Sequence, residues 1–237
     1  MRVTNELNTS HWLLTTDSMT WIKICGITNL EDALTAVEAG ADAVGFVFYE
    51  KSPRKIDVET AREIVEKLPA RVEKVGVFVD PTAESVRELV LQAKLTAAQL
   101  HGKLPKELSR DLRSVREWGS GAKLIAAIPG ETLKGDVSAQ FGLPGALFAI
   151  LVDSRSNGGT GTTFDWEATR GMVQMISLSV PVIVAGGLTA YNVSEAIRVF
   201  QPFGVDVASG VEARPGKKDL AKIRAFVSAV RAAGKLT

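Results

Sequence analysis

Two hydrophobic periods take turns along this chain, and their alternation limits what it can fold into. Short apolar segments of strand length fall at 21–25, 42–48, 73–79, 97–100, 123–128, 146–152, 180–185 and 204–208. Segments with apolar residues at helical spacing follow them, at 30–40, 58–68, 82–94, 105–118, 131–141, 166–178, 190–200 and 218–233. Residues that cap helices stand at several of the junctions: Thr28 or Asn29, then Thr82, Asp165 and Thr189, with Gly40 as a stop. The inward stripes are expected to be Ala33, Leu34 and Val37 on the first helix, and Ala61, Ile64, Val65 and Leu68 on the second. On the last helix they are Leu220, Ile223, Phe226, Val227 and Val230.

Strand and helix alternating with short connections predict an α/β protein with a parallel sheet. Eight such repeats in 237 residues leave no room for a second domain and predict a single-domain closed (β/α)8 barrel, the TIM barrel. An open doubly wound sheet is the rival arrangement. The expected division is a non-core extension at 1–20 and the barrel at 21–237. Met19 lies just ahead of the first strand, so 1–20 is either an extension or the product of an upstream start. The opening residues Arg2, Glu6 and Asp17 are polar around the short Trp12-Leu13-Leu14 patch, which does not read as a signal peptide.

Polar residues inside the apparent strands carry the argument further. Along 21–25, Ile22 and Ile24 share one face and Lys23 and Cys25 the other. In a barrel this sends the isoleucines out to the helices and Lys23 inward, and it leaves Cys25 at the C-terminal mouth, where barrel chemistry sits. Gln99 and Asp206 point inward by the same parity and must be paired, since an isolated buried charge is costly. Closure makes the first and eighth strands neighbours, which predicts Lys23 beside Asp206.

Bulk composition excludes several classes. Lys and Arg number 28 against 27 Asp and Glu, so the net charge of +1 gives no footprint for nucleic acid. No apolar run approaches the roughly 20 residues of a membrane span. A single cysteine cannot form an internal disulfide and fits the cytoplasm. Two histidines and one cysteine make no metal constellation.

Several residues are placed for chemistry, and each has a plainer reading. Cys25 is either a small buried hydrophobe or, beside a helix N-terminus, a thiolate base. Asp153 ends an apolar strand, as a general acid or base or as a turn residue. Gly186 and Gly187 follow strand seven, and Ser209 and Gly210 follow strand eight. Barrels often grip a phosphate with these two loops, and tight turns alone are the alternative. Arg54 reaches the same mouth with a fork suited to a carboxylate or phosphate, unless it is a surface arginine. The Gly158–Thr163 loop is a lid or a connection, and His101 is a pocket wall or structural residue.

With these residues in place, the chain resembles the phosphoribosylanthranilate isomerase family of tryptophan biosynthesis. The matching stretches are Lys23-Ile24-Cys25-Gly26-Ile27-Thr28, Gly45-Phe46-Val47-Phe48 with Ser52-Pro53-Arg54, and Val75-Gly76-Val77-Phe78-Val79. They continue with Gln99-Leu100-His101-Gly102, Asp153-Ser154 with Gly158-Gly159-Thr160-Gly161 and Phe164-Asp165-Trp166, and Ala185-Gly186-Gly187-Leu188. The last are Val205-Asp206-Val207-Ala208-Ser209-Gly210-Val211-Glu212 and Pro215-Gly216-Lys217-Lys218. Residues 1–20 and 130–145 depart from the pattern.

The resemblance implies an Amadori rearrangement of N-(5-phosphoribosyl)anthranilate to the 1-deoxyribulose 5-phosphate derivative. Asp153 would be the general acid on the ring oxygen and Cys25 the base that removes the C2′ proton. Arg54 would hold the anthranilate carboxylate. Backbone groups at Gly186, Gly187, Ser209 and Gly210 would hold the phosphate, and the loop at 158–162 would fold over the substrate. Only protons move, so no cofactor or metal is implied. The implied partner is a small phosphorylated molecule, with no nucleic acid or membrane, and protein partners stay unspecified. The alternatives are another phosphate-binding barrel, such as an indole-glycerol-phosphate synthase-like enzyme, or a non-catalytic phosphate-ligand-binding barrel.

Overall fold

The computed structural model describes residues 19–102, 121–130, 147–153 and 166–234. Expected features at 1–18, 103–120, 131–146 and 154–165 lie outside the described residues. They include most of the extension, the helices at 105–118 and 131–141, the loop at 158–163 and the Asp165 cap.

Eight strands close into a barrel in sequence order: β1 (Trp21–Cys25), β2 (Ala43–Val47), β3 (Glu73–Val79), β4 (Ala97–His101), β5 (Lys123–Pro129), β6 (Ala149–Asp153), β7 (Val182–Ala185) and β8 (Gly204–Val207). The pairs are parallel throughout, and β1 lies between β2 and β8. The described helices are α1 (Leu30–Ala39), α2 (Val58–Val65), α3 (Ala83–Gln92), α4 (Trp166–Ser177), α5 (Val193–Phe200) and α6 (Leu220–Ala233). A barrel, not an open sheet, is therefore the solution to the alternating pattern.

Strand pleating separates two cores. Outward residues such as Ile22, Ile24, Val44, Phe46 and Val152 are buried against the helices. Inward residues Ala43, Val75, Ala97, Ile125, Ala149, Leu151 and Ile183 fill the barrel. Cys25, Val47 and Val77 form a separate inward cluster, one step further along their strands towards the C-terminal mouth. At the opposite end Trp21 stacks on Phe203 at 6.0 Å and meets Phe148 edge-on at 6.2 Å.

Local chemistry accounts for the element ends. Asn29 is the N-cap of α1, accepting from the Asp32 N–H, and Gly40 terminates the helix at φ 102°. Leu34 is exposed, contrary to the expected stripe, and Ala36 is buried in its place beside Ala33 and Val37. The helix expected from 190 begins at Val193, because the Asn192 carboxamide accepts from the Thr189 N–H and donates to Gly187 O, which winds 187–192 into a turn. The last helix begins at Leu220 with Asp219 as its cap, not at 218. Lys217–Lys218 are drawn into a short antiparallel ribbon with Glu212–Arg214, which the helical spacing did not foretell.

Candidate active site

Lys23 and Cys25 are adjacent inward positions of β1. Lys23 is 0% exposed, and its Nζ donates to Asp206 Oδ1 at 2.8 Å across the β1–β8 seam, where the two residues are in register. Cys25 is 7% exposed. Burial pushes its thiol pKa up, and the Lys23 ammonium is the strongest influence pulling it down; Asp206 adds to the rise and Lys218 to the fall. Burial also opposes the charge on Lys23, but Asp206 and Cys25 more than offset this and hold its pKa above the ordinary value. The chain leaves β1 through Gly26 at φ 77°, and the N–H groups of Gly26 and Ile27 both donate to Gly45 O.

Arg54 lies across Gly26: a Cβ at Gly26 would sit 2.5 Å from Arg54 Cδ. This places the arginine stem beside the residue that follows Cys25. Arg54 Nε donates to Glu212 Oε1 at 2.8 Å and Nη2 to Oε2 at 2.7 Å. Glu212 also accepts from buried Lys218 Nζ at 3.1 Å, and Lys218 donates to Ala208 O at 3.0 Å. Burial would raise the Glu212 pKa, but Arg54 and Lys218 together hold it below the usual carboxylate value. Burial pulls Lys218 below the usual lysine range. The sequence reading found Arg54 but gave no role to Glu212 or Lys218. Their signal was an acid directly after a small-residue loop and a lysine pair after Pro-Gly, neither of which names its partner.

His101 ends β4, its ring nitrogen 2.7 Å from Gln99 Nε2. Gln99 is 2% exposed, and its Oε1 has no hydrogen-bond partner among the described residues, although the rest of the side chain is held. The expectation that inward polar residues pair is thus met fully by Lys23 and Asp206 and only in part by Gln99. Burial lowers the His101 pKa, the Lys23 charge lowers it further, and Asp153 and Asp206 act in the opposite direction. Asp153 ends β6 on the inward parity of Ala149 and Leu151 and is half-buried. Lys23, which neighbours Cys25, and Asp153 therefore act on one histidine at one end of the barrel.

The glycine loops after β7 and β8 interlock. Gly186 and Gly187 have φ of 97° and 65°, backbone that disfavours a side chain. A Cβ at Gly210 would collide with Leu188 O, so glycine there permits the two loops to touch. Among the described residues no group of three or more His, Cys, Asp or Glu side chains is placed to hold a metal ion. No helix among them is long and apolar enough to cross a membrane.

Residues 22–229 match the family model for N-(5'-phosphoribosyl)anthranilate (PRA) isomerase. The chain belongs to the N-(5'-phosphoribosyl)anthranilate isomerase family. A relative from Pseudomonas paraeruginosa with that name is 44% identical over 214 residues, covering 90% of this chain and 96% of its own. Among solved structures, the Thermus thermophilus phosphoribosyl anthranilate isomerase is 36% identical with a TM-score of 0.76, covering 90% of this chain and 99% of that one. A phosphoribosyl anthranilate isomerase in complex with reduced 1-(o-carboxyphenylamino)-1-deoxyribulose 5-phosphate is 41% identical with a TM-score of 0.73, covering 90% of this chain and all of that one. Family membership makes the chain an isomerase of tryptophan biosynthesis and sets aside the synthase-like alternative.

Proposed function

We propose that Cys25 and Asp153 are the base and the acid of the family's reaction, which this chain carries out: isomerisation of N-(5'-phosphoribosyl)anthranilate to 1-(2-carboxyphenylamino)-1-deoxyribulose 5-phosphate. Asp153 donates a proton to the furanose ring oxygen as the C1′–O bond breaks, and the anilino nitrogen supplies the electron pair that forms a protonated Schiff base. The Cys25 thiolate takes the C2′ proton, and the electrons of that C–H bond form the enolamine. The enolamine tautomerises to the ketone, so the reaction is redox-neutral overall.

Binding at both ends holds the ribose between the two groups. Arg54 takes the anthranilate carboxylate, and backbone groups at Gly186, Gly187, Ser209 and Gly210 take the phosphate. Fixing reacting atoms in this way supplies a large share of the rate. The observation that supports the reading is the placement of Cys25 and Asp153 at the same ends of parallel strands in one closed barrel, both on its inward parity. The reading also takes 1–20 as lying outside the catalytic barrel, in keeping with a family match that begins at residue 22, and places the enzyme in the cytoplasm.

The test is the decay of substrate fluorescence with purified variants. Cys25→Ala and Asp153→Asn each lose turnover by about a thousandfold or more while retaining affinity for a reduced product analogue. Turnover that survives either substitution overturns the assigned roles.

A further inference from the structure

We infer that Lys23 is a positioning residue for Cys25, its ammonium held against the sulfur by Asp206 as a fixed positive charge. The inference rests on the reading of Cys25 as the base.

Three observations converge on it. Lys23 is fully buried, and its ion-pair partner among the described residues, Asp206, takes a single hydrogen bond from it through Oδ1. An ammonium carries three donors, so this bond leaves capacity for a second acceptor. Lys23 and Cys25 are alternate residues of one strand, so both side chains enter the barrel. A Cβ placed on Gly45 would lie 2.8 Å from Cys25 Sγ and 3.1 Å from Lys23 Cε, so sulfur and lysine flank the same small gap over β2. Glycine at this position is what lets the two side chains stand together.

The physical reason is the burden of a buried base. A thiol in an apolar site resists ionisation, and a thiolate next to a cation is stabilised. Asp206 fixes the ammonium in place, and its own negative charge limits how strongly the cation acts. Other charges reach the same thiol from neighbouring elements: Lys218 from the ribbon after β8 and Arg54 from the loop after β2. Both of these are engaged by Glu212. His101 interacts electrostatically with Lys23 and Asp206, and with Asp153. Lys23 is the cation that acts most strongly on the sulfur.

Cys25 is the only cysteine, so alkylation by iodoacetamide, followed by intact mass, reads this one thiol without any activity assay. At near-neutral pH, Lys23→Met slows alkylation by about tenfold, since only thiolate reacts. Asp206→Asn speeds it, because the ammonium then serves the sulfur alone. Lys23→Arg keeps the charge and retains most of the wild-type rate, which keeps the test open if Lys23→Met does not fold. In turnover, Lys23→Met lowers kcat with KM little changed, and raising the pH recovers part of the loss. Changes in the same direction for Lys23→Met and Asp206→Asn, or no change in either, overturn the inference. If Cys25→Ala keeps turnover, the reading of Cys25 as base fails, while the alkylation result still decides the role of Lys23.

Discussion

Arg54 and Glu212, 158 residues apart, meet fork to fork through two parallel hydrogen bonds of 2.8 and 2.7 Å. The pair employs Nε and Nη2 of the guanidinium and leaves Nη1 outside it. Glu212 is buried, and Lys218 approaches the same Oε1. The acid therefore sets the angle at which Arg54 presents its remaining donors. Glu212→Gln keeps the shape but loses the charge and one acceptor. A charge-assisted bond of this kind contributes about 1.5–3 kcal/mol. The expected result is a KM raised on the order of tenfold with kcat changed far less, measured by steady-state kinetics. A kcat loss with unchanged KM would count against the role of Arg54 in binding.

Gly45 is the floor on which Cys25 and Lys23 rest. An added methyl would lie 2.8 Å from the sulfur, closer than side chains tolerate. Gly45→Ala is expected to cost about 1–3 kcal/mol of stability through overpacking. Its larger effect is on catalysis: displacement of a reacting group by about 1 Å can cost on the order of a hundredfold. Thermal unfolding and kcat measured on the same preparation separate the two effects.

How much of this could be read from residues alone differs by element. The barrel was legible because strand and helix periods alternate over most of the chain, and closure follows from counting. The Lys23–Asp206 contact was legible for the same reason, since two inward charges on adjoining strands have nowhere else to go. The Arg54–Glu212–Lys218 cluster was not. Arg54 comes from the loop after β2 and Glu212 and Lys218 from the ribbon after β8, and no periodicity links connections that meet only after the barrel has closed. The start of α5 at Val193 was misplaced because Thr189 and Asn192 both have cap chemistry, and the turn formed by Asn192 consumed the first. The state of Cys25 was also beyond sequence. A helix N-terminus argues for thiolate, whereas burial argues against it and outweighs the opposing pull of the Lys23 ammonium, so the thiol pKa lies above its ordinary value.

His101 gives the fold a pH dependence with a defined sign. Burial and the nearby Lys23 charge lower its pKa from the ordinary value of about 6.5. The unfolded chain then binds the proton more readily than the folded one. This contribution is fully present above about pH 6.5 and is lost as the pH falls from there towards the lower folded value. His101→Asn is expected to flatten the stability curve through that window, as measured by denaturant midpoints at a series of pH values. An unchanged slope would show that the ring is not held neutral by its surroundings.

Trp21 tests the separation between the two ends of the barrel. Its ring stacks on Phe203 and meets Phe148, and its backbone N–H donates to Phe203 O at 3.0 Å. Gly204 packs against the same ring: a Cβ there would lie 2.9 Å from Trp21 Cε3. This cluster closes the end opposite Cys25, where residues serve stability more than chemistry. Trp21→Ala removes a large aromatic surface that is only part-buried, so the loss falls near the lower end of the aromatic range, about 3 kcal/mol. In a chain of this length that lowers Tm by about 6–12 °C. Below the new transition, kcat is expected to stay within about twofold of the parent, because the inward layer of Ala43, Val75, Ala97 and Ile125 stands between the plug and the mouth. A large fall in kcat at a temperature where the variant remains folded would mean that the two ends of β1 are coupled through Lys23.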